Sequence, residues 1–376
     1  MNNIICFFID GFHSGFPGAY GNSEGLTPAL DSLASESVLF DQYFTNTMDL
    51  SRLYAAYWQG MDPAKKDPIS SPSLFEILRD QNYRTVLLSN DRKITELPIS
   101  SEFEEIALFE DQSEGKADPP ESLEESPLFT LFSEWASKIL RTFRSGNERP
   151  FFIWCHLKDF YAPQNIPSDP EEESADDPID LNREKYKSAI RILDDLLAGM
   201  LDVFDEYDLW NNTIFLLGGA RGCNFEKQDL AQAIFRKEES IDLVPDEIHL
   251  PLLIRFPAEE FASVRVGGLC QPDDLYRTLR FILSGRAEEP SGLFPLMEET
   301  RDQIRPSVRV VENGSGSNNR VLITDKWYLK IRKDPLENSD PKYELYVRPD
   351  DRWCVNEVAD RCEEIVEELS RQWDSN

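Results

Sequence analysis

Hydrophobic patterning predicts an α/β protein: a doubly wound, mostly parallel sheet flanked by helices, with a small C-terminal α+β subdomain. Three observations carry that expectation. Short runs that are apolar throughout, rather than alternating, recur along the chain, as strands buried on both faces require. Helical patterns lie between them, the alternation expected of parallel strands with crossover helices. After Ser307 the pattern changes to short β pieces followed by one amphipathic helix.

The apolar runs are Ile4 to Ile9, Thr85 to Leu88, Phe151 to Leu157, Thr213 to Leu217 and Leu252 to Phe256. Ser126-Pro127 reads as an N-cap followed by Pro at the first helical position, and Leu128, Phe129, Phe132, Trp135, Ile139, Leu140 and Phe143 then recur at helical spacing up to Gly146. A second helix is expected from about Arg183 to Tyr207, with Tyr186, Ile190, Leu193, Leu197, Met200, Leu201 and Phe204 on one stripe. The acidic stretches Glu110 to Glu125 and Pro167 to Pro178 read as solvated loops. Beyond Ser307, Arg320 to Ile323 and Trp327 to Arg332 form a hairpin pattern around Asp325-Lys326. Tyr343 to Tyr346 and a final helix from about Asn356 to Trp373 follow. The expected division is therefore an α/β domain over residues 1–306 and a subdomain over 307–376.

The chain has 376 residues, with 39 Lys and Arg against 70 Asp and Glu, a net charge of −31. Such a field repels phosphate backbones and anionic lipid, so no nucleic acid or membrane partner is expected. The 40% hydrophobic and 11% aromatic content exclude a disordered chain, so the acid decorates a folded surface. No run approaches the ~20 apolar residues of a membrane span, and Asn3 to Ile9 reads as a strand rather than a leader, which makes the expected location cytoplasmic. The six cysteines (Cys6, Cys155, Cys223, Cys270, Cys354 and Cys362) show neither C-x-x-C nor a Cys/His metal spacing and read as free thiols.

In open parallel sheets ligands bind outside the carboxyl ends of the strands. There the sequence places Asp10-Gly11, His156 to Asp159, Gly218 to Gly222, and the loop Thr45 to Arg52 before the apolar Leu53 to Trp58. Asp10 has two readings: a carboxylate at the mouth of a site, or an N-cap for the next element. His156 and Asp159 suggest a general-base pair, against which His156 within Trp154-Cys155-His156-Leu157 reads as a core or edge residue. With three histidines in all, few groups titrate near neutrality. Asn211-Asn212-Thr213 fits a glycosylation acceptor but reads more simply as the loop entering a strand.

These segments carry a resemblance that runs through nearly the whole chain. Asn3 to Asp10, Tyr20-Gly21-Asn22, Leu26-Thr27-Pro28-Ala29-Leu30-Asp31, Phe40-Asp41, Ser51-Arg52 and Gly60 resemble the opening of a sulfatase, a family of the alkaline phosphatase superfamily. Pro150-Phe151-Phe152 to Pro163, Tyr186 to Gly222, Glu247 to Pro257, Asp274 to Leu279 and Glu344-Leu345-Tyr346 are similar to later segments in the same order. The resemblance implies a Cys or Ser nucleophile matured to formylglycine beside a divalent cation, which orients the nucleophile and neutralises sulfate charge.

Transferred position by position, the family's residues are mostly replaced. The resemblance puts the nucleophile at Met48, its following proline at Leu50, the second first-strand aspartate at Gly11, the later metal Asp-His at Ala220 and Arg221, and a ligand-contacting His at Tyr161. His249 falls at a non-catalytic position. Basic residues after the nucleophile helix, represented by Lys65-Lys66, have no clear counterpart. Retained are Asp10 of the metal set and Arg52 of the nucleophile motif. A calcium ion needs six to eight oxygens, more than one carboxylate supplies, so no cofactor is expected; calcium returns only if the family site survives.

The expected function is therefore a non-hydrolytic sulfatase-like protein that binds an anionic or sulfated small molecule or glycan, or a protein partner. Arg52 and Arg221 are its candidate anion-binding residues. Arg221 either pairs with Asp10 in place of a metal ion or points to solvent. Arg52 either faces an anion or holds a neighbouring carboxylate such as Asp49. The rival is an active sulfate or phosphate ester hydrolase using Thr45, Thr47 or Ser51 as an unusual nucleophile.

Overall fold

The structure is a computed structural model that describes residues 1–64, 72–109, 120–144, 149–162, 165–167, 178–224, 242–285, 291–298, 302–312, 319–333 and 340–374. Lys65-Lys66, Pro163 and most of the two acidic stretches lie outside the described residues. In chain order the strands are β1 (Asn3–Asp10), β2 (Val38–Phe40), β3 (Tyr43–Phe44), β4 (Arg84–Ser89), β5 (Glu105–Leu108), β6 (Phe151–Leu157) and β7 (Thr213–Arg221). They continue as β8 (His249–Leu250), β9 (Leu252–Arg255), β10 (Arg265–Val266), β11 (Val308–Val311), β12 (Arg320–Ile323), β13 (Trp327–Arg332) and β14 (Lys342–Val347). The chain divides into two compact units: Met1–Asp41 with Leu78–Arg236 and Pro251–Arg265, and Gln42–Ile77 with Lys237–Leu250 and Val266–Asn376.

The first unit is built on a sheet of order β10-β2-β9-β7-β1-β6-β4-β5. β1 runs parallel to both β6 and β7, and β4 runs parallel to both β6 and β5. Every residue of β1 and of β6 is buried, which is why those runs are apolar without alternation. The fifth apolar run departs from a wholly parallel sheet, because β9 is antiparallel to β7, and β2 is antiparallel to β9.

The helix Pro127–Arg144 begins as the sequence expects, with the Phe129 N–H donating to Ser126 Oγ at 3.1 Å. It buries Leu128, Phe132, Trp135 and Ile139, and Trp135 meets Phe7 of β1 edge-on at 5.4 Å. Each such side chain contributes about 1.5–3 kcal/mol of burial. The long helix runs Pro178–Glu206, starting five residues ahead of the expected Arg183, with Pro178 at its first position. Tyr186, Ile190, Leu193, Leu197, Met200 and Phe204 are buried on it, and Leu201 is half-buried at the margin of the same core.

The second unit contains the antiparallel sheet β11-β12-β13-β14, the pair β3-β8 and the helices Leu50–Gln59, Pro272–Leu283 and Glu363–Asp374. The β12–β13 hairpin turns at Asp325-Lys326, where Thr324 Oγ1 accepts the N–H groups of Lys326 and Trp327. The last helix begins at Glu363, seven residues later than expected, after a short 3₁₀ turn at Ala359–Arg361. Its Val366 and Leu369 pack with Leu322, Leu329 and Leu345. No described helix is long and apolar enough to cross a membrane.

Candidate functional site

The carboxyl ends of β1, β6, β7 and β4 carry a cluster of charged groups within the first unit. β1 and β7 run in step until Ile9 pairs with Gly219, and then the register slips so that Asp10 stands opposite Arg221. The skipped residue is Ala220, which is fully buried. Such a bulge re-aims the next side chain, and here it brings Arg221 onto the β1 terminus. Arg221 Nε donates to Asp10 Oδ1 at 2.7 Å, and its Nη2 donates to Oδ2. The pair is bidentate, and the two side chains are 13% and 12% exposed. Burial opposes the charge on Arg221, but the Asp10 ion pair and hydrogen bonds, aided by Tyr161 and Asp91, raise its pKa overall. Neither the N-cap reading of Asp10 nor the solvent-facing reading of Arg221 describes this geometry.

Gly11 follows at φ +84°, where a side chain is strained. Its N–H donates to the Arg221 carbonyl at 2.7 Å, and its own carbonyl accepts from Tyr186 Oη at 2.6 Å. A Cβ here would lie 2.1 Å from Tyr161 Cε1, far inside van der Waals contact. Tyr161 gets there because Asp159 takes a left-handed conformation (φ +56°), and the Asp159 carbonyl accepts from the Ala162 N–H and from Asn165 Nδ2. The Tyr161 ring is held against Phe160 at 5.1 Å and Tyr186 at 5.7 Å.

Beyond β6, Lys158 Nζ pairs with Asp159 Oδ2 at 2.8 Å. Asn90 holds the Lys158 backbone from both sides, donating to its carbonyl at 2.9 Å and accepting its N–H at 2.8 Å. Burial pushes the Asp159 carboxyl up to about 6; Lys158 counteracts this in part, while Asp10 and Asp91 reinforce it. His156 is fully buried, and that burial lowers its pKa against the opposing pull of Asp10 and Asp91. A histidine held neutral inside a strand belongs to the core reading of this residue, not to a base exposed beside Asp159.

The loop Thr45 to Arg52, where the resemblance puts the nucleophile, lies in the second unit. Met48, at the position the resemblance gives to the nucleophile, is 2% exposed and packs with Phe44, Ile248, Val308, Val310 and Tyr328. Thr45 and Thr47 are buried as well: Thr45 Oγ1 donates to the Thr47 carbonyl at 2.9 Å, and Thr47 Oγ1 accepts the Asp49 N–H at 3.2 Å. Asp49 caps the Leu50–Gln59 helix, accepting from the Arg52 backbone N–H at 3.1 Å and from Ser51 Oγ at 2.5 Å. Arg52 is exposed, and it bonds Asp49 through its backbone N–H. His249, without a sequence role, stacks on Phe44 at 4.7 Å.

Sequence reasoning missed Asn90, Asp91 and Tyr186 as parts of the cluster. Asn90 and Asp91 follow β4 directly, so the strand-end rule that singled out Asp10 reaches them too. Tyr186 was visible only as one member of an apolar stripe, although a buried tyrosine hydroxyl always needs a partner. Among the described residues, no group of three or more His, Cys, Asp or Glu side chains is arranged to hold a metal ion.

A family model described as Sulfatase matches residues 2–280. No curated protein matches the sequence. Solved structures do. A phosphonate monoester hydrolase of Agrobacterium radiobacter aligns with TM-score 0.72 at 14% identity, covering 100% of this chain and 95% of its own. A protein from a Bacteroides thetaiotaomicron locus for metabolism of glycosaminoglycans aligns at 0.75 and 16% identity, with the same coverages. A third, solved with its substrate D-glucosamine-2-N,6-O-disulfate, aligns at 0.70 and 15% identity, covering 100% of this chain and 98% of its own. At these identities the likeness speaks to the fold, which is the sulfatase and alkaline phosphatase type.

Proposed function

This chain belongs to the sulfatase family, and from that premise we propose that it is a member without hydrolytic chemistry, one that binds an anionic or sulfated small molecule or glycan. The observation that carries the reading is Met48: a thioether stands at the nucleophile position and is packed into an apolar core. A thioether has no proton to lose and no bond to form with sulfur or phosphorus that hydrolysis could later release. The neighbouring threonine hydroxyls are buried and tied into the loop backbone.

Arg221 already commits Nε and Nη2 to Asp10, so in this reading contact with an anion falls to exposed Arg52. The relative bound to a disulfated glucosamine supports a sulfated sugar as the ligand class. A protein partner is the alternative occupant.

One observation favours the hydrolase rival. Ser51 is exposed, and its Oγ lies 2.5 Å from Asp49 Oδ1, a hydroxyl beside a carboxylate. Burial raises the Asp49 carboxyl, yet the bonds from Ser51 and the helix N-terminus lower it overall, which makes it a weak base at neutral pH.

The test is a panel of aryl sulfates, phosphate mono- and diesters and phosphonates, run beside calorimetric titration with sulfated disaccharides. The expected result is no turnover above buffer, and sugar binding weakened about tenfold or more by Arg52→Ala. Turnover that Ser51→Ala abolishes overturns the reading in favour of the hydrolase.

A further inference from the structure

We infer that Arg221 is the resident cation of this chain, standing in for a divalent metal ion, and that the fold is independent of metal. A metal ion does not fit the residues present. Both oxygens of Asp10 are already engaged by Arg221, through Nε at 2.7 Å and through Nη2. At Gly11, the position the resemblance gives to a second carboxylate, a side chain has neither a compatible backbone (φ +84°) nor space. Its Cβ would overlap Tyr161 Cε1 at 2.1 Å. Ala220, another ligand position, is buried as the bulge residue that turns Arg221 toward Asp10.

These substitutions interlock. Tyr161 can lie where it does only because residue 11 lacks a Cβ, and Tyr186 Oη fixes the Gly11 carbonyl at 2.6 Å from the opposite helix. Asp10 keeps its carboxylate because Arg221 supplies the counter-charge. A buried carboxylate without one is strongly disfavoured, and a guanidinium matches its two oxygens in a single plane. A divalent ion needs several oxygen ligands, whereas one carboxylate matches the fork of a guanidinium.

The inference shares with the proposed function the assignment of Gly11, Ala220 and Arg221 as ligand positions, but it has its own readout. Metal content and thermal unfolding decide it, whereas ester turnover decides the function. Purified full-length chain is analysed for bound metals and melted in excess EDTA, then in millimolar calcium, magnesium or manganese chloride.

The expected result is no stoichiometric metal and melting temperatures that agree to within about 1 °C, since a bound ion in excess would add several degrees. Arg221→Ala is expected to lower the melting temperature by roughly 5–10 °C, with no recovery on adding calcium. Arg221→Lys, which keeps the charge but loses the fork, is expected to fall between the two. Stoichiometric metal in the unaltered chain, or a calcium-dependent rise in its melting temperature, overturns the inference. So does an Arg221→Ala protein as stable as the parent. If Arg221→Ala fails to fold, the metal content and salt-independent melting of the parent, with Arg221→Lys, still decide the matter.

Discussion

The end of β1 and the loop around Met48 are both positions where the resemblance implies catalytic groups, and they are filled in opposite ways. At β1 the replacement is ionic: Asp10 remains charged and Arg221 joins it in a two-pronged pair. Around Met48 the replacement is apolar, and the side chain is absorbed among Phe44, Ile248, Val308 and Tyr328. Physical chemistry accounts for the difference. A carboxylate that stays buried must keep an opposite charge beside it. A small neutral nucleophile leaves nothing behind that needs a partner, so its position can be filled by any side chain that packs.

Four measurements test the contrast between these two regions. The largest effect belongs to the ionic region. Arg221→Ala is expected to cost about 3–5 kcal/mol in urea unfolding, and the double variant with Asp10→Ala to cost less than Arg221→Ala alone, because the stranded charge goes too. Additive effects would mean that the two side chains do not depend on one another.

In the apolar region Met48→Ser is expected to cost about 2–4 kcal/mol by the same assay, while Met48→Leu costs under about 1.5 kcal/mol. A serine tolerated without loss would show that this position faces solvent rather than core.

A smaller effect concerns the rim of the ionic region. Burial lifts Asp159 to about 6, with Lys158 pulling the other way, against about 3.9 in an unfolded chain. The folded state thus holds this proton more tightly. Its contribution favours folding below about pH 4, fades as pH rises toward 6, and above that the buried charge is a constant cost. Asp159→Asn is therefore expected to add about 1–2 kcal/mol at pH 8, and little at pH 4, the lost Lys158 pair subtracting a few tenths. Equal effects at both pH values would remove Asp159 from the buried cluster.

The smallest expected change is at the helix start behind Met48. Asp49→Ala removes the cap on the Arg52 N–H, with about 1 kcal/mol lost and Asp49→Ser largely sparing it. If Asp49→Ser is as damaging as Asp49→Ala, Asp49 does more than cap.

Much of the first unit was legible because its strands are long and buried on both faces. β1, β6 and the start of β7 read directly as apolar runs, and Ser126-Pro127 marks its helix correctly. The elements that escaped notice carry too little pattern. β2 has three residues, and β3 and β8 two each, below any period. β5 is only partly buried, so its sequence, Glu105 to Leu108, lacks the all-apolar signature. The direction of β9 depends on which strand it pairs with, and no local residue encodes that.

At the candidate site, residue types alone determined which groups were available: one aspartate at the end of β1, an arginine after β7, a methionine where a nucleophile is implied. What each does was decided by tertiary structure. The one-residue slip at Ala220 joins Asp10 to Arg221 across 211 positions of sequence. Gly11 and Tyr161 read separately in the sequence, and only in space does the Tyr161 ring occupy the room that a Cβ at residue 11 would need. Met48 reads as the absence of a nucleophile, and packing alone makes it part of a core. Charge and side-chain chemistry are properties of each residue, so the sequence carries them. Pairing, exclusion and burial belong to neighbours far apart in the chain, and they exist only once the sheet brings those neighbours together.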